Sequence, residues 1–364
     1  MAQDTTMGAA MTGGVDVSDR YTYVCVLNAA GEVVDEGRVP TTAEALRRRF
    51  GGLPRMRLVL ETGAHSPWIS RLLEECGHEV LVANARQLRL IAASDSKNDR
   101  ADAETLARLG RLDPALLKPI RHRGVDAQLD LAVIRARDAL VQARTQLVNH
   151  VRGAVKSVGG RLPKCSTESF PRRVREAIPE GLRPALTPLL EVIEAVTKEL
   201  GRYDRQVEAV ATTRYPETGA LRQVPGVGAL TALSYVLTLE DPGRFAKSRA
   251  VGSYLGLRPK QRDSGERAPA LRISKAGDAF LRRLLVGSAH YILGPFGPDT
   301  NLRRWGLTLA ARGGKNAKKR AIVAVARKLA VLLHRLWVTG APYEPLRMAA
   351  RRPPAVPALA VPSC

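Results

Sequence analysis

GVDVSDRYTYVCVLNAAGEVVDEGRV, residues 14–39, holds three β-rich runs, VDVS, YTYVCVLN and EVVDEGRV, separated by polar or Gly-containing turns. Val, Tyr and Thr clusters bounded by turn residues read as three consecutive strands, a meander. Thr41 or Thr42 offers a side-chain oxygen to cap a helix through ALRRRF. The strand RLVLE, the helix SPWISRLLEECG and the strand HEVLVANA follow. The order β-β-β-α-β-α-β predicts an α/β domain. One more helix is expected from Asn98 through Leu112, apolar at Ala103, Leu106, Ala107 and Leu109. It closes a first domain over residues 14–120.

Carboxylates stand in this domain where a core would not ask for them. Asp16 lies in the first strand between valines that point to the opposite face. Glu61 ends RLVLE, directly before Thr62 and Gly63. Asp99 and Asp102, in KNDRADAETLA, are three residues apart and share one helix face. Singly, a strand-end Glu is an ordinary solvated edge, and an Asp pair opening a helix answers the macrodipole. If the four converge, their repulsion calls for a counter-charge, which a divalent cation supplies. Magnesium takes hard oxygen ligands, and two ions about 4 Å apart stabilise both the attacking and the leaving oxygen of a phosphodiester.

Downstream, Leu129, Val133, Ala136, Leu140, Ala143, Leu147 and Val151 step by four and three, the seam of a coiled coil or helical hairpin. A second seam runs Leu186, Leu189, Ile193, Val196, Leu200, Tyr203, Val207 and Val210, with Pro188 expected in the first turn. A loop rich in Gly, Pro and Arg, residues 159–184, separates them. The pair predicts an antiparallel arm over residues 121–215, a plain helical bundle being the alternative. Residues 216–340 read as predominantly helical. In them QVPGVGALTALSYVL has the form of a helix-hairpin-helix, whose Pro-Gly-x-Gly corner turns backbone N–H groups toward phosphate; such corners also merely connect helices. From Arg244 to Arg283 there are eleven Lys or Arg against three acids. The stretch contains Ser264, in RDSGE, and Ser274, in RISKAG; by turn chemistry alone Asp-Ser-Gly is ordinary. Residues 1–13, a small-residue tail, and 341–364, which include PPAVPALAVP, are expected to be disordered.

Composition narrows the partners. The 364 residues carry 57 Lys and Arg against 35 acids, a formal charge of +22, and 45% of them are apolar. That is core enough for two domains and a basicity that points to nucleic acid. No apolar run approaches the roughly 20 residues needed to cross a bilayer, and the amino terminus lacks a basic n-region and an h-region. A cytoplasmic protein acting at the nucleoid is expected, with no membrane partner. Cys25, Cys76, Cys165 and Cys364 form no CxxC pair, so neither zinc nor a disulfide framework is indicated.

GVDVS, LVLETG and KNDRADAETLA, in this order, resemble the DEDD signature of RuvC-like (RNase H fold) domains in one group of insertion-sequence transposases. That group includes the Piv-type DNA invertases and the bridge-RNA-guided serine recombinases. PGVG, LGLRPKQRDSG, RISKAG and AFLRRLL resemble the second domain of the same group. The resemblance spans residues 14–340, the loop at 159–184 being its least similar part. It implies that Asp16, Glu61, Asp99 and Asp102 bind Mg2+, two ions in all. It also implies that Ser264, preceding Gly in the DSG turn, is the nucleophile and leaves a covalent phosphoserine link to DNA. Active sites shared between protomers of a homodimer or homotetramer are implied as well.

The chain shows no zinc finger, no basic zipper and no convincing recognition helix, so its charge grips backbone without reading sequence. A structured bridge RNA pairing with donor and target DNA would supply the specificity, as the resemblance implies. Two other readings share these residues. One is a structure-selective, magnesium-dependent endonuclease without a covalent step; the other is a non-catalytic nucleic-acid-binding protein from a decayed element.

Overall fold

In the computed structural model, which describes residues 11–84, 98–261 and 271–346, the meander forms β1 (Thr12–Val17), β2 (Tyr21–Leu27) and β3 (Val33–Pro40). α1 (Ala43–Phe50) follows, capped by Thr42, whose hydroxyl accepts from the Ala45 N–H at 3.3 Å. Then come β4 (Arg57–Glu61), α2 (Ser66–Glu75), β5 (Glu79–Ala83) and α3 (Asp99–Leu112). The sheet order is β3-β2-β1-β4-β5. β1, β2 and β3 pair antiparallel, while β1–β4 and β4–β5 pair parallel. The result is a mixed sheet with helices on both faces.

Strand alternation assigns the faces. Val15, Val24, Leu58 and Leu60 pack against Leu46 and Phe50 of α1 and Ile69, Leu72 and Leu73 of α2. Cys25 and Leu27 meet Ala103 and Ala107 of α3, and Val59 and Ala83 meet its Leu106 and Leu109. β1 begins at Thr12, inside the stretch expected to be tail, and residues 1–10 lie outside the described residues.

The chain divides after Gly124 into two units, and residues 121–215 fall across that boundary. The second unit is helical: α4 (Val125–Ser157), α5 (Phe170–Val174), α6 (Arg183–Thr213), α7 (Thr218–Arg222), α8 (Ala229–Leu239), α9 (Arg249–Tyr254), α10 (Ala279–Leu293), α11 (Asn301–Ala310) and α12 (Ala317–Thr339). α4 and α6 run antiparallel. The start of α4 (Ala127, Leu131, Ile134) packs with the end of α6 (Val207, Ala211), and the end of α4 (Val148, Val151, Val155) packs with the start of α6 (Leu186, Leu190, Ile193). α8 is apolar all round and lies in the centre, with Thr231 through Leu239 buried and the Tyr235 hydroxyl donating to the Ala330 carbonyl at 2.6 Å.

Three expectations change here. The inward stripe of α4 is not the seam read from Leu129: that side chain is 61% exposed, and Val151 is the one member of the seam that is buried. An inward Arg144, which donates to Thr197 Oγ1 at 3.2 Å and Glu168 Oε1 at 3.4 Å, occupies the middle of the true stripe. α6 starts at Arg183, so Pro184 is the first-turn proline and Pro188 sits inside the helix. Residues 159–184 are not a bare loop: Phe170, Val174 and Ile178 are buried against α4 and α6. At the carboxyl end, the Tyr343 N–H donates to Gln223 Oε1 at 2.9 Å and the Asn301 N–H to the Pro345 carbonyl at 2.8 Å. The rest of the expected tail, residues 347–364, lies outside the described residues.

Candidate active site: a carboxylate cluster on the sheet

Gly14 decides how α3 meets the sheet. A Cβ there would stand 1.9 Å from the Ala103 carbonyl oxygen and 2.6 Å from the Ala107 nitrogen, so only a hydrogen lets the helix backbone lie on β1. Gly110 repeats the device near the other end of α3, where a Cβ would be 2.3 Å from a Val59 methyl. Asp16 follows Gly14 by two and points to the same face. Asp99 and Asp102 precede Ala103 in the first turn of α3, which starts from an Asn98 cap that accepts the Arg100 N–H at 3.0 Å. Close packing at Gly14 therefore carries two helix carboxylates toward the strand carboxylate. Glu61, half-buried, ends the neighbouring parallel strand.

The electrostatics register this convergence. Partial burial pushes the Asp16 carboxyl up, and the charges of Asp99, Asp102 and Glu61 push it further, to about 6 from the ordinary 3.8; the Val17 backbone N–H opposes them. Among the described residues Asp16, Asp99 and Asp102 enter no ion pair, and Arg100, beside Asp99 in the first turn of α3, is taken by Glu36 at 2.7 Å. Among the described residues no three Asp, Glu, His or Cys side chains close around one point. The carboxylates stand near enough to repel and are not gathered into a closed cage.

Ser264 lies outside the described residues, which stop at Gln261 and resume at Leu271. Its flanks are antiparallel neighbours: the Lys260 N–H donates to the Arg272 carbonyl and the Ser274 N–H to the Arg258 carbonyl, both at 2.9 Å. Below them two chain segments cross closely. A Cβ on Gly256 would be 2.2 Å from the Ala276 carbonyl oxygen, and the Arg282 guanidinium donates to the Leu255 carbonyl at 3.0 Å and the Ala276 carbonyl at 2.7 Å. Ser274 has a turn role, its hydroxyl accepting the Ala276 N–H at 3.4 Å. In the Pro225–Gly228 corner, Gly226 (φ +84°) is pressed against α10, where a Cβ would meet Tyr291 at 2.9 Å. Packing against α10 thus accounts for one of that corner's glycines.

Comparison with known proteins bears on both regions. The family of IS110-type DEDD transposases, described as "Transposase", matches residues 13–159, and "Transposase IS116/IS110/IS902 family" matches residues 219–298. The chain is 29% identical over 330 residues to the transposase for insertion sequence element IS1111A of Coxiella burnetii, covering 88% of this chain and 87% of that protein. It is 28% identical over 268 residues to the transposase for insertion sequence element IS1328 of Yersinia enterocolitica, covering 67% and 75%. The chain belongs to the IS110 family of transposases.

In this transposase the two units carry charge very differently. Residues 1–124 hold 17 Lys and Arg against 16 Asp and Glu, whereas residues 125–364 hold 40 against 19. One concentration follows α11: Arg312, Lys315, Lys318, Lys319 and Arg320 are all exposed, and among the described residues they enter no ion pair. Among the described residues no helix is long and apolar enough to cross a membrane. Sequence reasoning had not singled out Gly14; the available signal was a glycine inside a β-rich run two residues before an acid.

Proposed function

We propose that this transposase is a DNA strand-transfer enzyme whose α/β unit is an RNase H-like (RuvC-like) domain using Asp16, Glu61, Asp99 and Asp102 to hold magnesium, with Ser264 as the nucleophile. The observation that carries the reading is the raised Asp16 carboxyl, pushed to about 6 by burial and three other acids. The donor set fits the ion: all four groups are hard oxygen ligands, and among the described residues Asp16, Asp99 and Asp102 enter no ion pair. Magnesium keeps several waters and needs few protein carboxylates per ion, so a closed cage is not required. Bound there, it would polarise a phosphodiester and offset the charge that builds on its oxygens. Even with its carboxyl raised to about 6, Asp16 is mostly ionised at neutral pH and ready to act as a ligand. The sheet order β3-β2-β1-β4-β5, with the acids on its central strands and on α3, supports the RNase H-like assignment.

Ser264 then attacks phosphorus through Oγ. A Ser Oγ–P bond forms, one P–O ester bond to the strand breaks, Ser264 gives up one proton and the displaced oxygen takes one up. One phosphodiester is exchanged for another, so a partner strand's hydroxyl can reverse the step without an outside energy source. In this reading α4 and α6 form a coiled-coil arm between protomers of a homodimer or homotetramer. The Pro225–Gly228 corner serves as a helix-hairpin-helix contact to backbone, and a bridge RNA reads donor and target DNA.

A nicked suicide substrate tests the chemistry. Wild-type protein in magnesium should form a covalent DNA adduct, Ser264→Ala should bind DNA without forming it, and Asp102→Ala should form none. An adduct that persists in Ser264→Ala, or that maps to Ser274 or Tyr254, removes Ser264 from the role. The RNA element of the proposal fails if protein stripped of all RNA still recombines at specific sites.

A further inference from the structure

β1 and β4 hydrogen-bond in parallel from Thr12 opposite Arg57 to Val15 opposite Leu60. Asp16 and Glu61 are the next residue on each strand, one step past the last rung between them. Beyond that gap the two chains are tied again, by side chains. The Trp68 indole N–H donates to His65 Nδ1 at 3.1 Å. An indole only donates, so Nδ1 is the acceptor and the ring proton is on Nε2, directed at the Asp19 carboxylate 3.0 Å away. Trp68 packs on the sheet core and meets the His65 ring edge-on, with centroids 6.1 Å apart.

Each loop is also fixed on its own side. The Ser18 hydroxyl donates to the Tyr21 carbonyl at 2.7 Å, and the Thr41 hydroxyl to the Ser18 carbonyl at 2.9 Å. Ser66 Oγ accepts the Gly63 N–H at 3.0 Å and donates to the Gly63 carbonyl at 2.9 Å. The His65–Asp19 bond bridges these two braced loops, three residues past Asp16 and four past Glu61. Asp19 is 94% exposed and His65 33%, so as a stability device the pair is worth little. Its place is what matters, because it ties the two chains together again just past the strand ends that carry both carboxylates.

We propose that His65 is a positioning residue for the carboxylate cluster: oriented by Trp68 and anchored on Asp19, it limits the splay of β1 and β4 and so sets the spacing of Asp16 and Glu61 for a divalent ion. This rests on the reading that those two carboxylates hold one.

The test is thermal unfolding of the full chain titrated with MgCl2, and separately MnCl2, for wild type, His65→Ala, His65→Gln, Asp19→Ala, Asp19→Asn, the double alanine variant and Asp16→Ala. His65→Ala and Asp19→Ala should raise the half-saturating ion concentration about tenfold, the low end of outer-shell effects, while ion-free unfolding stays within about 1 °C. His65→Gln keeps a donor and Asp19→Asn an acceptor, so both should stay near wild type. The double variant should be no worse than either single one, because the two residues form one tie. An unchanged ion midpoint in both alanine variants, with the ion response abolished in Asp16→Ala, overturns the inference. So does a loss of stability in His65→Ala that is the same at every ion concentration. An ion response that survives Asp16→Ala overturns the metal reading itself and this inference with it, a result distinct from failure of the tie alone.

Discussion

The α/β unit and the helical unit meet a polyanion in opposite ways. The first is nearly charge-balanced, with 17 cations against 16 acids, and on the face covered by α3 the charges of three acids add to burial in raising the Asp16 carboxyl. By itself that face repels a phosphodiester. The second holds 40 cations against 19 acids, and its run from Arg312 to Arg320 has no acidic partner among the described residues. On the proposed reading, long-range attraction and the metal site fall in different units: the helical unit draws in the polyanion, and the α/β unit becomes hospitable to phosphate only once its carboxylates are neutralised.

The sharpest way to break that contrast is to remove a carboxylate. Asp16→Ala or Asp102→Ala should lower magnesium-dependent strand cleavage by about a thousandfold or more, the scale of losing a charge-stabilising group, with DNA affinity in a filter-binding assay unchanged. Cleavage at the wild-type rate would place the chemistry elsewhere.

Gly14→Ala attacks the same cluster through packing. The new Cβ meets backbone, which cannot rotate away, and should cost about 2 kcal/mol in urea unfolding, within the range of overpacked cores. Cleavage should fall with it, because α3 carries Asp99 and Asp102.

Changing Lys315, Lys318 and Lys319 together to Ala should leave the fold intact and flatten the salt dependence of DNA binding. The slope of log K against log salt should fall by roughly 0.9 for each phosphate that the variant no longer neutralises. Arg47, Arg48 and Arg49 on α1 make the matched control in the balanced unit. Two of them pair with Glu75 and Asp35 and the third with Glu44 within the helix, so their removal should leave the slope unchanged.

The smallest effect concerns pH. Asp16 titrates near 6 when folded and near 3.8 when unfolded, so the folded state binds the proton more tightly. Its favourable contribution is complete below about 3.8, declines as pH rises, and has become a repulsive cost above about 6. Asp16→Asn should therefore raise the ion-free unfolding temperature by about 4 °C at pH 8, the effect of roughly 1 kcal/mol in a unit of this size, and by much less at pH 5. Equal shifts at both values would mean that Asp16 does not feel its neighbours.

Much of the α/β unit was legible because local signals agreed. Turn residues separate β1, β2 and β3, Thr42 and Asn98 cap the helices that follow them, and the order of Asp16, Glu61, Asp99 and Asp102 along those elements can be read directly. The site was less legible. Nothing local says that Gly14 admits α3 onto β1, or that Trp68 turns His65 toward Asp19, since each involves residues distant in sequence or a choice of rotamer. Gly, Pro and Arg dominate the segment at 159–184 and give it the composition of a loop, yet its Phe170, Val174 and Ile178 are buried against α4 and α6.

α4 shows most plainly where the division falls. Its sequence contains two apolar stripes at heptad-like spacing, one through Leu129 and Leu140 and one through Leu131, Ile134, Val148, Val151 and Val155. Periodicity determined that this is a long amphipathic helix, just as alternation and turn chemistry determined the strands and the acids' places on them. Which stripe turns inward was decided by the tertiary structure. Apolar area is non-directional and either stripe offers it, so the choice falls to steric fit: α6 accepts Val148, Val151 and Val155 beside Phe170, and Arg144 finds Thr197 and Glu168. The same holds for the carboxylates, whose order was written in the chain and whose mutual field arises only when two glycines let a helix lie directly on the sheet.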